Sequence, residues 1–229
     1  MELDRVSDIP VRTLVIPVSI ALFLCSFAGA SANPRPAGTS LVCTKHAYEL
    51  ADFGDGLHSS PSPDHSSRVV LTKDFSFRVM KADLKIGDVE IRDLSSNIEI
   101  LWAPNSRMFA VNYSDGGAEG TFHAHVYRLD PGEITELSKP VKAAFDEFKQ
   151  QFYCSIRGDN VFVEGWTADS QGLLVVGQVY ATSDCGENRG LEKGYLVDFN
   201  GNVLRRYDDK KTRTIQSSCE NTGRAILPQ

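Results

Sequence analysis

This chain is short of the features that make a function easy to read. It has no polybasic block, and its 24 basic residues face 30 acidic ones, for a formal net charge of -6. Nucleic-acid binding begins with a cationic surface that neutralises phosphates, so nucleic acid is excluded as an expected partner. The densest basic stretch, Arg205 to Arg213, alternates its signs around Asp208 and Asp209, which is the pattern of a solvated strand end and loop. No Gly-x-Ser-x-Gly, His-Glu-x-x-His, Cys-x-x-Cys, P-loop or dinucleotide fingerprint occurs, and the common routes to hydrolytic, zinc, redox and nucleotide chemistry go with them. Their absence does not exclude an enzyme, and the enzyme question stays open with the reading leaning toward none. Tryptophan is scarce too, at two residues in 229, and those two occupy near-identical contexts.

The first apolar segment, Leu14 to Ala28, falls short of the roughly 20 residues a spanning helix needs. It is followed by Ala28-Gly29-Ala30-Ser31-Ala32. Small residues after a short apolar core are the mark of a secretory signal, cut after Ala30 or Ala32, so residues 1–32 are assigned to it. The leading segment lacks the usual positive excess, and an uncleaved membrane anchor is the alternative. A secreted or periplasmic protein with no stable membrane span after cleavage follows. Cleavage removes Cys25 and leaves Cys43, Cys154, Cys185 and Cys219. An even cysteine number in an exported chain points to two disulfides with three possible pairings. Position favours Cys43 with Cys219, tying the two ends, and Cys154 with Cys185.

Residues 33–67 are rich in Pro, Ser, Gly and Asp and read as a polar leader, with Leu41-Val42-Cys43 as the one segment able to dock as a strand. Its His46, His58 and His65, with Glu49, Asp52, Asp55 and Asp64, follow no metal-ligand spacing. The full chain has an ordinary composition at 41% hydrophobic, and from residue 68 to 229 the pattern is that of a single β-rich domain. Strands are expected at Arg68–Thr72, Ser76–Met80, Val89–Leu94, Ile98–Trp102, Met108–Tyr113 and Thr121–Leu129, because apolar and polar residues alternate there. Later strands run Asn160–Trp166, Gly172–Tyr180, Glu192–Phe199 and Asn202–Tyr207. The last two form a hairpin around Asn200-Gly201, whose turn favours positive backbone angles at both central residues. One amphipathic helix, near 139–152, is predicted from Ser138 as N-cap, Pro140 in the first turn and the stripe Val141, Phe145, Phe148, Phe152. Beyond Asp208 the chain reads as a polar tail pinned by Cys219.

The two tryptophans organise the β pattern. Trp102-Ala103-Pro104-Asn105-Ser106 precedes Phe109-Ala110-Val111, and Trp166-Thr167-Ala168-Asp169-Ser170 precedes Leu173-Leu174-Val175. Each reads as a tryptophan ending a strand, a polar turn, and an apolar strand returning. These units, near 95–132 and 158–207, resemble the blades of WD- and TolB-type β-propellers, which carry a tryptophan, a small residue, Pro-Asp or Asn, and an apolar strand. A third unit, from Arg68 to Leu94, has the strands without the tryptophan turn. At about 40–45 residues per WD blade, the roughly 200 residues past the signal hold three or four blades, against about 4–8 in a closed ring. The resemblance therefore implies a mainly β fold of antiparallel meander sheets, either a small or incomplete propeller or a sandwich of blade-like sheets.

Three weaker chemical signals remain. His123 and His125 alternate on one strand and face the same side, an arrangement able to bind zinc or copper if further ligands join; otherwise no cofactor is expected. Glu164 stands between Phe162 and Trp166 on one strand face, where an apolar setting would raise its pKa as in a catalytic acid. Asn112-Tyr113-Ser114 is a glycosylation sequon. The expected function is a non-enzymatic binding or interaction module presenting loops to a protein or glycan partner, and the alternative is a secreted hydrolase or metal-dependent enzyme using His123, His125 and Glu164.

Overall fold

The computed structural model describes residues 40–43, 59–72, 76–81, 84–91, 97–114, 121–152, 154 and 160–227, all within the unit Pro36–Gln229. The expected signal segment, Cys25, Leu94, and the early group His46, Glu49, Asp52, Asp55 and His58 lie outside the described residues.

In chain order the strands are β1 (Ser40–Cys43), β2 (Ser59–Pro61), β3 (Ser67–Leu71), β4 (Phe77–Lys81), β5 (Leu84–Val89), β6 (Asn97–Trp102), β7 (Met108–Ser114), β8 (Phe122–Asp130) and β9 (Glu133–Glu136). Helix α1 (Ser138–Lys149) follows, then β10 (Val161–Thr167), β11 (Gly172–Gln178), β12 (Glu192–Asp198), β13 (Val203–Tyr207), α2 (Asp209–Thr222) and β14 (Arg224–Ile226). They form a four-stranded sheet β2-β3-β4-β5, a four-stranded sheet β6-β7-β8-β9 and a six-stranded sheet β13-β12-β11-β10-β1-β14. All described pairings are antiparallel. The fold is thus mainly β, as the alternation of the sequence implies. Among the described residues no helix is long and apolar enough to cross a membrane.

The sheets stack, and the stacking explains the sequence pattern. In β3 and β4, Val69, Leu71, Phe77 and Val79 are buried while Arg78 is exposed, the alternation of strands covered on one side. Their inward set meets Ile98, Trp102, Phe109, Val111, Tyr113 and Tyr127 of the middle sheet. The middle sheet is covered on both sides, so all seven residues of β7 are buried. Its other face, with Leu101, Met108, Ala110 and Val126, packs on Val163, Trp166, Val175 and Val197 of the six-stranded sheet. Helix α1 closes this second seam with the predicted stripe of Val141, Phe145, Phe148 and Phe152. The far face of the six-stranded sheet, with Leu41, Leu174, Val176 and Leu196, lies under Ile215 and Cys219 of α2.

Several local expectations are corrected. Leu41-Val42-Cys43 docks as a strand as expected, within β1, which is internal to the six-stranded sheet between β10 and β14, but the polar stretch also supplies β2. The docking of β1 depends on Gly165, where a Cβ would lie 2.6 Å from the Val42 carbonyl oxygen. The polar tail is a helix and a strand. Asp208 caps α2 by accepting the Lys211 N–H at 2.9 Å, and Thr212, Ile215 and Cys219 form its one buried face. Helix α1 starts at Ser138 itself, with Leu137 in the cap position and no side-chain cap. Strand β5 ends at Val89, where a strand had been expected to begin, because Val89 already pairs with Phe77. The hairpin at Asn200-Gly201 forms, but only Gly201 takes a positive φ. Asp198 holds this turn instead, its Oδ1 accepting from the N–H groups of Asn200 at 2.9 Å and Asn202 at 2.8 Å. The four cysteines of the expected mature chain pair as position suggested: Cys43 with Cys219 and Cys154 with Cys185, at Cα separations of 5.3 and 5.1 Å.

Candidate functional site

The most regular feature of the molecule is a turn built three times. Ser62-Pro63-Asp64-His65 joins β2 to β3, Ala103-Pro104-Asn105-Ser106 joins β6 to β7, and Thr167-Ala168-Asp169-Ser170 joins β10 to β11. In each, the fourth N–H donates to the first carbonyl, at 2.9, 2.9 and 2.7 Å. In each, Oδ1 of the third residue accepts the N–H two residues on, from Ser66, Arg107 and Gln171 at 2.9, 2.9 and 3.1 Å. The fourth residue has φ of 58°, 60° and 56° although none is glycine, a conformation that needs support from its surroundings. The first of these turns falls inside the stretch expected to be a polar leader. Pro61 stands where the other two units have tryptophan.

Neighbouring turns are locked together. The Asp64 N–H donates to Ser106 Oγ and the Asn105 N–H to Ser170 Oγ, both at 3.1 Å. Beneath them, Trp102 Nε1 donates to the Ser60 carbonyl at 3.1 Å and Trp166 Nε1 to the Leu101 carbonyl at 3.2 Å. The result is one row of apices from three sheets, with Asp64, His65, Asn105, Arg107, Ala168 and Gln171 exposed along it. The Ser66 backbone N–H, followed by the Ser62 hydroxyl, holds the Asp64 carboxyl well below the usual carboxylate range.

Glu164 lies away from that row, on β10, with Glu99 of the middle sheet and Gln216 of α2 among its neighbours. The pairing of β10 with β11 passes from Val163↔Val175 to Gly165↔Leu174, so Glu164 is the extra residue of a β-bulge. The bulge reverses the alternation expected along this strand. Phe162 packs on the α2 side, whereas Trp166 packs with Val163 in the seam, so Glu164 does not share a face with both aromatics. It is 1% exposed, and neither carboxylate oxygen accepts a hydrogen bond of proper geometry. Burial first, and repulsion from Glu99 second, push its pKa up to about 8; Gln216 of α2 is the neutral polar neighbour that favours the charged form. Asn112 of β7 holds this region together. Its Oδ1 accepts from Val163 N and its Nδ2 donates to Val163 O, both at 2.8 Å, and the same Nδ2 donates to Glu99 Oε2 at 2.8 Å. The sequon asparagine is therefore buried mid-strand with its amide engaged.

His123 and His125 face the opposite way, toward the sheet β2–β5. Their rings take part in an aromatic ladder rather than converging. Tyr113 stacks between them, 5.1 Å from His123 and 5.9 Å from His125, and His125 continues to Tyr127 at 6.2 Å. His125 Nδ1 donates to Glu136 Oε1 at 2.8 Å. Burial, with Glu136 and Tyr113 adding to it, raises the Tyr127 hydroxyl above its ordinary value. Tyr127 and Val126 are both buried and the residues from 122 to 125 are half-buried, because a sheet lies against each face. Among the described residues no three His, Cys, Asp or Glu side chains gather as a metal cage.

No protein-family model matches this chain, and neither does any curated protein.

Of the candidates read from the sequence, the structure keeps the two histidines together on one face and places Glu164 beyond the other face of the same sheet. A site using all three is not formed. Sequence reasoning missed Glu99, Asn112 and Gln216 as the surroundings of Glu164. Glu99 alternates with Ile98 and Ile100 and so reads as an outward polar residue. Asn112 carried a signal, a polar residue inside an otherwise apolar strand, which is how a residue bridging two sheets announces itself.

Proposed function

We propose that the protein is an exported, disulfide-braced, non-enzymatic binding module that engages a protein or glycan partner outside the cytoplasm through the row of turn apices. The observation that carries this reading is the coupling of the three turns by backbone-to-serine hydrogen bonds. A surface already fixed before encounter loses little conformational freedom on binding, and loops held by a rigid scaffold are where recognition usually resides. Two cysteine pairs at bonding distance fit an oxidising compartment, and the short apolar segment with its small-residue cleavage site fits secretion or delivery to a periplasm. The likeness of the tryptophan units to WD- and TolB-type blades supports the same scaffold role.

Arg107 and Gln171 are exposed on the row, and the turn uses only their backbone N–H groups. Purified mature protein, immobilised and offered envelope extract and a glycan array, should retain a partner that Arg107→Glu combined with Gln171→Lys releases, at unchanged melting temperature. Retention of nothing above a control, or of a partner indifferent to both changes, refutes the reading. Glu164 favours an enzyme only through its raised pKa, and at 1% exposure it meets no substrate in the folded chain.

A further inference from the structure

Both attachments of β10 in this region flank Glu164. On one side Val163 is fixed to the middle sheet by Asn112. On the other, Gly165 pairs with Cys43 of β1, the strand tied by its disulfide to α2. Between them sits a buried carboxyl group whose two oxygens accept no hydrogen bond of proper geometry, with the Gln216 amide as the polar group beside it. The charged groups acting on it among the described residues are Glu99 of β6, Glu192 of β12 and Glu220 of α2, and the neutral ones are the Gln216 amide of α2 and, through Glu99, the Asn112 amide. Every charge in that set is negative. A buried anion with acidic neighbours and a single neutral amide beside it is strongly unfavourable, whereas the neutral acid is tolerated.

We infer that Glu164 is a proton-operated latch on the attachments of β10. Protonated, it lets β10 lie closed against both the middle sheet and β1; ionised, it draws water in beside β10 and loosens the two attachments. The inference stands independently of the turn-row binding surface.

The sign follows from linkage. The folded chain keeps this proton up to about pH 8, whereas the unfolded chain releases it near the ordinary glutamic acid value of about 4.3. The folding equilibrium constant therefore falls by up to tenfold per pH unit across that window, on account of this group, and levels off above it. The stabilisation is complete on the acid side and lost as pH rises through the folded value.

Urea unfolding of the full mature chain between pH 5 and 9 tests this, comparing wild type with Glu164→Gln and Glu99→Gln. Glu164→Gln keeps the shape and removes the charge. Its advantage over wild type in folding constant should be about sixfold at pH 5 and grow past roughly a hundredfold by pH 8. Glu99→Gln removes the largest repulsion and should move the wild-type window to lower pH. Amide exchange at Val163, Gly165 and Leu41 should accelerate with pH beyond the intrinsic rate in wild type but not in Glu164→Gln. Parallel pH profiles for wild type and Glu164→Gln overturn the inference. So does a Glu164 carboxyl carbon that titrates below pH 5 by NMR, a measurement on the wild-type chain that holds even if a variant fails to fold.

Discussion

Replacing Cys43 and Cys219 together with alanine tests how the six-stranded sheet is held. The bridge spans 176 residues, and the chain-entropy relation for a loop of that size gives about 5 kcal/mol of stabilisation at 25 °C, at the top of the range disulfides show. The Cys154–Cys185 bridge spans 31 residues, for which the same relation gives about 4 kcal/mol. It lies inside the larger loop, but loop entropy grows only logarithmically with length, so the nesting changes the larger figure little. Cys43 and Cys219 are both buried, and alanine removes only the sulfur from each, so most of the loss should come through the unfolded state. Urea unfolding is well suited to the measurement, because Trp102 and Trp166 are both buried and their fluorescence reports on two different seams. The expected order is Cys43→Ala/Cys219→Ala less stable than Cys154→Ala/Cys185→Ala, by roughly 1 kcal/mol or more. A loss below about 1 kcal/mol for the terminal pair, or the reverse order, would show that backbone pairing to β10 and β14 holds β1 unaided.

Two further outcomes follow from the interior. Trp166→Ala removes the largest fully buried side chain, together with its hydrogen bond to the Leu101 carbonyl; it should cost about 3–5 kcal/mol, and a loss under about 1 kcal/mol would mean that the ring is not a core anchor. Asn112→Leu strands the Val163 N–H and carbonyl and should cost about 2–5 kcal/mol by urea unfolding. A glycan on Asn112 is incompatible with its burial, so folded protein secreted from a glycosylating host should show the unmodified mass at this sequon; a glycosylated folded species would contradict the placement of β7.

The parts of the fold legible in the sequence are those set by nearby residues. The stripe from Val141 to Phe152 gave α1 because four apolar residues at helical spacing have few other uses. The tryptophan turns stood out because the indole, the Asn or Asp and the serine recur together. The turn at Ser62 to His65 shares that small-Pro-Asp grammar with Ala103 to Ser106, but without an indole its polar composition looks like a leader. Helix α2 was hidden by a polar sequence whose buried face is only Thr212, Ile215 and Cys219; the spacing of those three, after an Asp at the cap, was the available signal. The insertion of β1 between β10 and β14 depends on partners more than a hundred residues away, and no local pattern encodes it. Glu164 was legible as an oddity in an apolar strand. Its actual setting was not, because a single bulged residue exchanges the two faces of the strand beyond it.

The contacts between sheets have a direction. Each tryptophan reaches back to the carbonyl of the sheet before it, and each turn serine accepts from the turn before it. A junction of this kind is head-to-tail rather than self-complementary, and nothing in its own chemistry limits how many layers it would add. The limits come from the two ends. At the six-stranded sheet, α2 occupies the face where a fourth layer would sit, in the manner of the capping units that terminate repeat arrays, and the Cys43–Cys219 bridge fastens that cap. At the other end Pro61 and His65 stand in place of the indole and the turn serine, so among the described residues the first layer lacks the two groups that reach back. The length of the stack is thus written into two substituted residues and one tethered helix.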